Sequence, residues 1–234
     1  MHAGKPIGPD AIQQAESRPY QADNMLKKTL PLIIAFIAVT AAHAQERRNV
    51  GGCDIRRGTL CTSLNLNGAD LAGVNLMNSQ FTRSSLAGAN LRGAELGEAN
   101  FSYTDLRGTD LREASMSRIN LKGARLNEAR LAGADLHGAT FQNADLSAAD
   151  LSDTILTGAD FTNARLGGAQ LKNADMQRAN LRAANLKGAS LVGANLQGVN
   201  FNRASLVDAD LTGAKLGGAI FLGTQTEGCI GCPD

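Results

Sequence analysis

Four cysteines carry the most reactive side chains of this 234-residue chain, and they fall into two groups, Cys53 with Cys61 and Cys229 with Cys232. Cys229-Ile230-Gly231-Cys232 has the gap of a dithiol redox couple, and equally of half a zinc site. A redox pair of that kind normally opens a helix in a strand–helix–strand setting, and no such pattern flanks it. A zinc site needs two further ligands, and past residue 44 the sole histidine is His137. Structural disulfide bonding is the third chemistry open to these thiols. Acidic side chains are plentiful, but Asp70, Asp110, Asp135, Asp145, Asp150, Asp160, Asp175 and Asp210 recur at one position of a short repeat. Side-chain-to-backbone turn bonding explains them there. Nucleophile–base catalysis needs a paired His or Lys in a pocket, and no glycine-rich phosphate loop stands between a strand and a helix. The expectation is a non-enzyme with no catalytic residue, cofactor or metal.

The elements that hold these residues begin with an address. Residues 30–42 are apolar except for Pro31 and Thr40, follow Lys27 and Lys28, and end at Ala42-His43-Ala44. Basic, apolar and small-x-small regions in that order predict a cleaved signal peptide over 25–44, cut after Ala44. The run is too short for the ~20 residues that span a bilayer, so no membrane insertion is expected after cleavage. Residues 1–24 read as a polar extension or an over-long start. The chain from Gln45 on carries 19 basic and 19 acidic residues. Such a balance argues against a nucleic-acid binder. Export to the periplasm or beyond favours disulfides.

From Leu66 through Phe221 every fifth residue is Leu, Phe or Met, 32 positions without a slip. Two places earlier stands Ala in 23 of 32, one place earlier Asn or Asp in 18, and two places later Gly in 16. Ala89-Asn90-Leu91-Arg92-Gly93 shows the unit whole. A period of five defines no face on a helix and swaps faces along a strand. The chain must turn in every unit, and each unit must stack on its neighbours to bury its Leu: a solenoid.

The centre phenylalanines set the coil. Phe81, Phe101, Phe141, Phe161, Phe201 and Phe221 all share one column of spacing twenty, broken by Leu121 and Leu181. Chance would place all six in one of four columns about once in ten thousand trials. Met116 and Met176 share a second column. Four units per coil give a four-sided core of centres such as Leu66 and Leu91. About eight coils then occupy 64–223, with a cap over 45–63 and a cysteine-bearing tail over 224–234.

These residues resemble the pentapeptide repeat proteins, whose unit is (S/T/A/V)(D/N)(L/F)(S/T/R)(G). The resemblance implies an all-β fold, a right-handed quadrilateral β-helix. The two cysteine groups then sit at opposite ends of the rod. With a disulfide limit of ~7 Å between Cα atoms, pairing is Cys53–Cys61 and Cys229–Cys232, or intermolecular. Cys61 also falls in the Phe column and reads alternatively as a core residue.

Some quinolone-resistance members of that family present an acidic rod to DNA gyrase. Here the side bearing the Phe centres sums to +3, from Arg83, Lys122, Arg182 and Arg203 against Asp160, and the others to 0, −2 and −1. A duplex mimic, matching one charge per ~1.7 Å, would show a long acidic stripe, and there is none. The expected function is an exported scaffold or protein-interaction surface with a protein partner. Gyrase protection and thiol-redox chemistry at Cys229 and Cys232 are the alternatives.

Overall fold

The computed structural model describes residues 48–233; the expected signal segment and the extension before it lie outside the described residues. One five-residue unit, Asp145 to Ala149, shows how the sequence builds the backbone. The N–H of Ala149 donates to the carbonyl of Leu146 at 3.0 Å, closing a β-turn. Ala148, third in that turn, has φ +56°, the left-handed geometry that a type II turn demands there. Three more amides reach neighbouring coils: Asp145 to the Ala124 carbonyl, Leu146 to Arg165 and Ala148 to Gly167, at 2.7–2.9 Å. The fifth, from Ser147, donates to Oδ1 of Asp145 at 3.1 Å. No amide is left over, so the unit can be packed into a wall without an unpaired donor.

The same third-position φ recurs at every unit from Gly58 to Gly228. Glycine fills about half of these places. Elsewhere Ser, Asn, Arg, Glu, Asp, Ala or Tyr accepts a conformation that costs an L-residue ~1–2 kcal/mol. The Asn/Asp preference one place before the centre also has a cause: every Asn and Asp there, from Asn65 to Asp210, accepts the amide two residues on.

Parallel bridges join each residue of this position to the one twenty residues later, from Leu60↔Gln80 to Asp210↔Ile230. Four bridges complete one coil, giving a right-handed quadrilateral β-helix. Its backbone reaches beyond 64–223: the turns and bridges take in residues 56–63 and 224–230 as well. Main-chain bonds do not require a Leu at the centre, so Arg56 and Thr226 stand where Leu is absent.

Leu, Phe and Met centres and the Ala before them fill the interior. The phenylalanines stack in three pairs, Phe81–Phe101 at 4.7 Å, Phe141–Phe161 at 4.6 Å and Phe201–Phe221 at 5.1 Å between ring centroids. Where Ser or Thr replaces Ala, its hydroxyl returns to the backbone, as from Thr104 to the Phe81 carbonyl and Thr109 to that of Leu86. No buried side-chain polar atom among the described residues lacks a partner.

The two ends differ. At the first, a hairpin of β1 (Arg48–Val50) and β2 (Cys53–Ile55) lies on the coil. Gly51 and Gly52 both have positive φ, as a two-residue hairpin turn requires. A Cβ on Gly51 would meet the Asn65 carbonyl and the Leu66 side chain at 2.9 Å, so the turn presses on the core. At the other end no coil follows among the described residues. Leu216 and Phe221 are only half-buried, and Ile220, Leu222 and Ile230 are exposed.

Candidate functional site

The cysteines are the first candidates. Cys53 is bonded to Cys61 with Cα atoms 5.3 Å apart, and Cys229 to Cys232 at 5.8 Å. Cys61 occupies a core centre of the first coil and Cys53 is equally buried, so this disulfide ties β2 to the coil that it covers. Cys229 and Cys232 are half-buried on the last turn. No free thiol occurs among the described residues, and no three His, Cys, Asp or Glu side chains there converge as a metal site would need.

His137 is the second candidate. It lines a shallow recess of about 450 Å³ with Thr157, Gly158, Gln177 and Arg178. Its Nδ1 lies 2.6 Å from Thr157 Oγ1. That contact pairs a base with a hydroxyl, but it is exposed, and no carboxylate among the described residues is bonded to the other ring nitrogen to orient it. It is a surface hydrogen bond between adjacent coils.

The core centres named from the sequence, Leu66, Phe81, Leu91, Phe101, Met116, Phe141, Phe161, Met176 and Phe201, are all buried. Phe221 was expected among them and is half-buried, since only one coil face covers it. These residues build the wall; what meets a partner is the outer surface.

Charge on that surface is organised by side. Arg107 with Asp105 and Arg112 with Asp110 form close pairs two residues apart. Arg92–Glu113, Arg118–Glu98, Arg125–Asp105, Arg130–Asp110 and Arg165–Asp145 join neighbouring coils. The Arg107 guanidinium, hydrogen-bonded to Asp105, holds that carboxyl below its usual range against opposing burial, and Arg112 does the same for Asp110. For Asp145 and Asp160, burial pushes the carboxyl up but is outweighed by hydrogen bonds, led by Asn127 and Ser147 for the first and Thr162 and Gln142 for the second.

All of these ion pairs lie on the three sides without phenylalanine. Arg83, Lys122, Arg182 and Arg203 stand exposed on the fourth and join no ion pair among the described residues. Arg182 and Arg203 are on adjacent coils. Arg83 and Lys122 flank a residue that the sequence did not single out, Tyr103. It takes the left-handed third position, φ +58°, and is 54% exposed. A Cβ on Gly123 would fall 2.6 Å from its ring, so the ring lies on that bare α-carbon one coil on. An aromatic where the repeat favours Gly was the available signal.

A family model described as pentapeptide repeats matches residues 59–97, 79–118, 114–153, 154–191 and 184–223. Among solved structures, HetL, a pentapeptide repeat protein involved in heterocyst differentiation regulation in the cyanobacterium Nostoc sp. strain PCC 7120, is 30% identical. The match covers 82% of this chain and 94% of HetL, with a TM-score of 0.45. Trypsin-treated QnrB1, a plasmid-mediated fluoroquinolone resistance protein, is 24% identical over 71% of this chain and 84% of its own, with a TM-score of 0.66. A pentapeptide repeat protein from the Arabidopsis thaliana thylakoid lumen is 36% identical over 42% of this chain and 69% of its own, with a TM-score of 0.42. A search of curated proteins finds no match.

Proposed function

The chain belongs to the pentapeptide repeat family, and we propose that it is an exported, non-enzymatic rod that serves as a scaffold or docking surface for a protein partner. The observation that carries this is the division of labour in each unit. Ala, Leu and the backbone are consumed by the fold, while the outward second and third positions are left to vary on flat walls. Such walls suit recognition, and catalysis would need groups converging in a cavity. Export is supported by Lys27, Lys28 and the apolar run ending at Ala42-His43-Ala44. The two disulfides agree with an oxidising compartment.

Cell fractionation tests the compartment, and a pull-down from envelope fractions tests the partner. Recovery in the cytoplasm would overturn export, and a pull-down that enriches no protein over a heat-denatured control would overturn the scaffold.

A second reading, which comes from the family resemblance, is protection or inhibition of DNA gyrase; QnrB1, a plasmid-mediated fluoroquinolone resistance protein, shares the fold. The mixed charge of the walls speaks against it. Dose-dependent inhibition of supercoiling by the purified protein would establish it in place of the first.

A further inference from the structure

The side bearing the phenylalanines differs from the other three in chemistry as well as in charge. Asp160 is its sole acidic residue, and that carboxylate accepts from Gln142 Nε2, Thr162 Oγ1, the Thr162 amide and Asn180 Nδ2. It is thereby occupied by neutral donors and neutralises no cation. Leu60, Ile220 and Leu222 are exposed at its two ends, and between them the wall is mainly amides and hydroxyls, among them Thr82, Asn100, Gln142, Thr162, Asn180 and Asn202. Over these rows stand four cations without partners and the exposed ring of Tyr103.

We infer that this wall binds a carboxylate-bearing polysaccharide, lying along the rod axis from Arg83 to Arg203. Six coil spacings of ~4.8 Å separate those two residues, about 29 Å, so the ligand is an extended polymer. Its charge must be sparse. A duplex would offer a phosphate every ~1.7 Å over that length, far more than four cations answer. Amide and hydroxyl rows match the hydroxyls of a sugar chain, the cations match its carboxylates, and an aromatic ring with an apolar face matches the C–H face of a pyranose. A lipid surface would call for apolar side chains to insert, and along this wall Tyr103 is the only large one between its ends.

Tyr103 adds an independent mark. The turn favours Gly at its position, and the ring finds room because residue 123 has no Cβ. What sets Tyr103 apart is its side chain, a large aromatic ring left exposed where the fold asks nothing of it and free to meet a ligand. This inference rests on the exported-rod reading for its biological setting, and the two fail separately. A cytoplasmic protein that binds the polymer removes export alone; an exported protein that does not bind removes this surface alone.

The test is affinity electrophoresis of the purified full chain through polygalacturonate, with dextran as the uncharged control. Retardation by polygalacturonate, weakened by salt, and none by dextran is expected. Replacing Arg83, Lys122, Arg182 and Arg203 together with Gln should weaken binding at least about tenfold. Replacing Arg118, Lys172, Arg178 and Lys187, from the other sides, should leave it. Tyr103→Gly should weaken binding about fivefold to tenfold while thermal stability holds or rises, because Gly suits that φ. The stability reading separates lost contact from misfolding. Absence of retardation, equal loss in both quadruple variants, or tighter binding to a single-stranded DNA oligonucleotide or to anionic vesicles would overturn the inference.

Discussion

Ala148 and Ala183 each hold φ +56° with an exposed methyl group. Replacing either with Gly should stabilise the rod. The left-handed conformation costs an L-residue ~1–2 kcal/mol. Against that, Gly loses more freedom on folding, ~0.4–1 kcal/mol. The difference favours Gly by about 0.5–1 kcal/mol at each site. The sites lie 35 residues apart on different sides and share no partner, so the double variant should gain about 1–2 kcal/mol. Gly158 supplies the reverse experiment. It has φ +66° and no atom within 4 Å of its missing Cβ, so Gly158→Ala adds conformational cost and no clash. It should lose what the Ala→Gly changes gain. Guanidinium unfolding by circular dichroism measures the sum. Because a repeat rod can open in segments, hydrogen exchange at the Ala148 amide, bonded to the Gly167 carbonyl at 2.9 Å, reads the local term. If Ala148→Gly brings no gain and Gly158→Ala no loss, the left-handed third position is not what shapes the turn.

Asp150→Ala should cost about 1 kcal/mol by orphaning the Ser152 amide, whereas Asp150→Asn keeps an acceptor and should be near neutral by denaturant titration. Asp105, Asp110, Asp145 and Asp160 ionise more readily folded than unfolded. Their contribution is therefore complete above the unfolded value of about 3.9 and is lost as pH falls through the lower native values. Melting temperature should drop below about pH 4, and Asp105→Asn with Asp110→Asn should flatten that drop. Removing the Cys53–Cys61 bond by paired Ser substitutions should cost about 2–3 kcal/mol for so short a loop, seen as faster exchange of the β1–β2 amides with little change near Leu151.

Repetition made the coil legible. Thirty-two centres in one register and six phenylalanines in one column are signals that no single element provides, and the bridges at intervals of twenty follow them. The ends were less legible because the repeat announces itself through its core residue. Arg56 and Thr226 turn the chain as Leu does, so the backbone continues where the pattern stops. The left-handed residues other than Gly were hidden for a similar reason, since position in the unit, not residue type, sets their conformation. The surface was hardest to read. Summed charge marks out the Arg83 wall, but only coordinates show that Arg125 meets Asp105 while Arg83 joins no ion pair among the described residues. Tyr103 and Gly123 lie twenty residues apart, and their contact means nothing until the coil length is known.

The interval of twenty also imposes a discrete arithmetic on change. Inserting or deleting twenty residues adds or removes one storey and leaves every column plumb. A slip of five swings everything downstream by a quarter turn, so that Arg83 and Arg203 would part onto adjacent walls and Phe201 would leave its column. Growth in whole storeys preserves a docking wall, whereas smaller slips scramble it without harming the core. The echo of Met116 in Met176 spans three storeys, the mark that such growth would leave. The reach of this molecule is a count, altered by copying rather than by refolding.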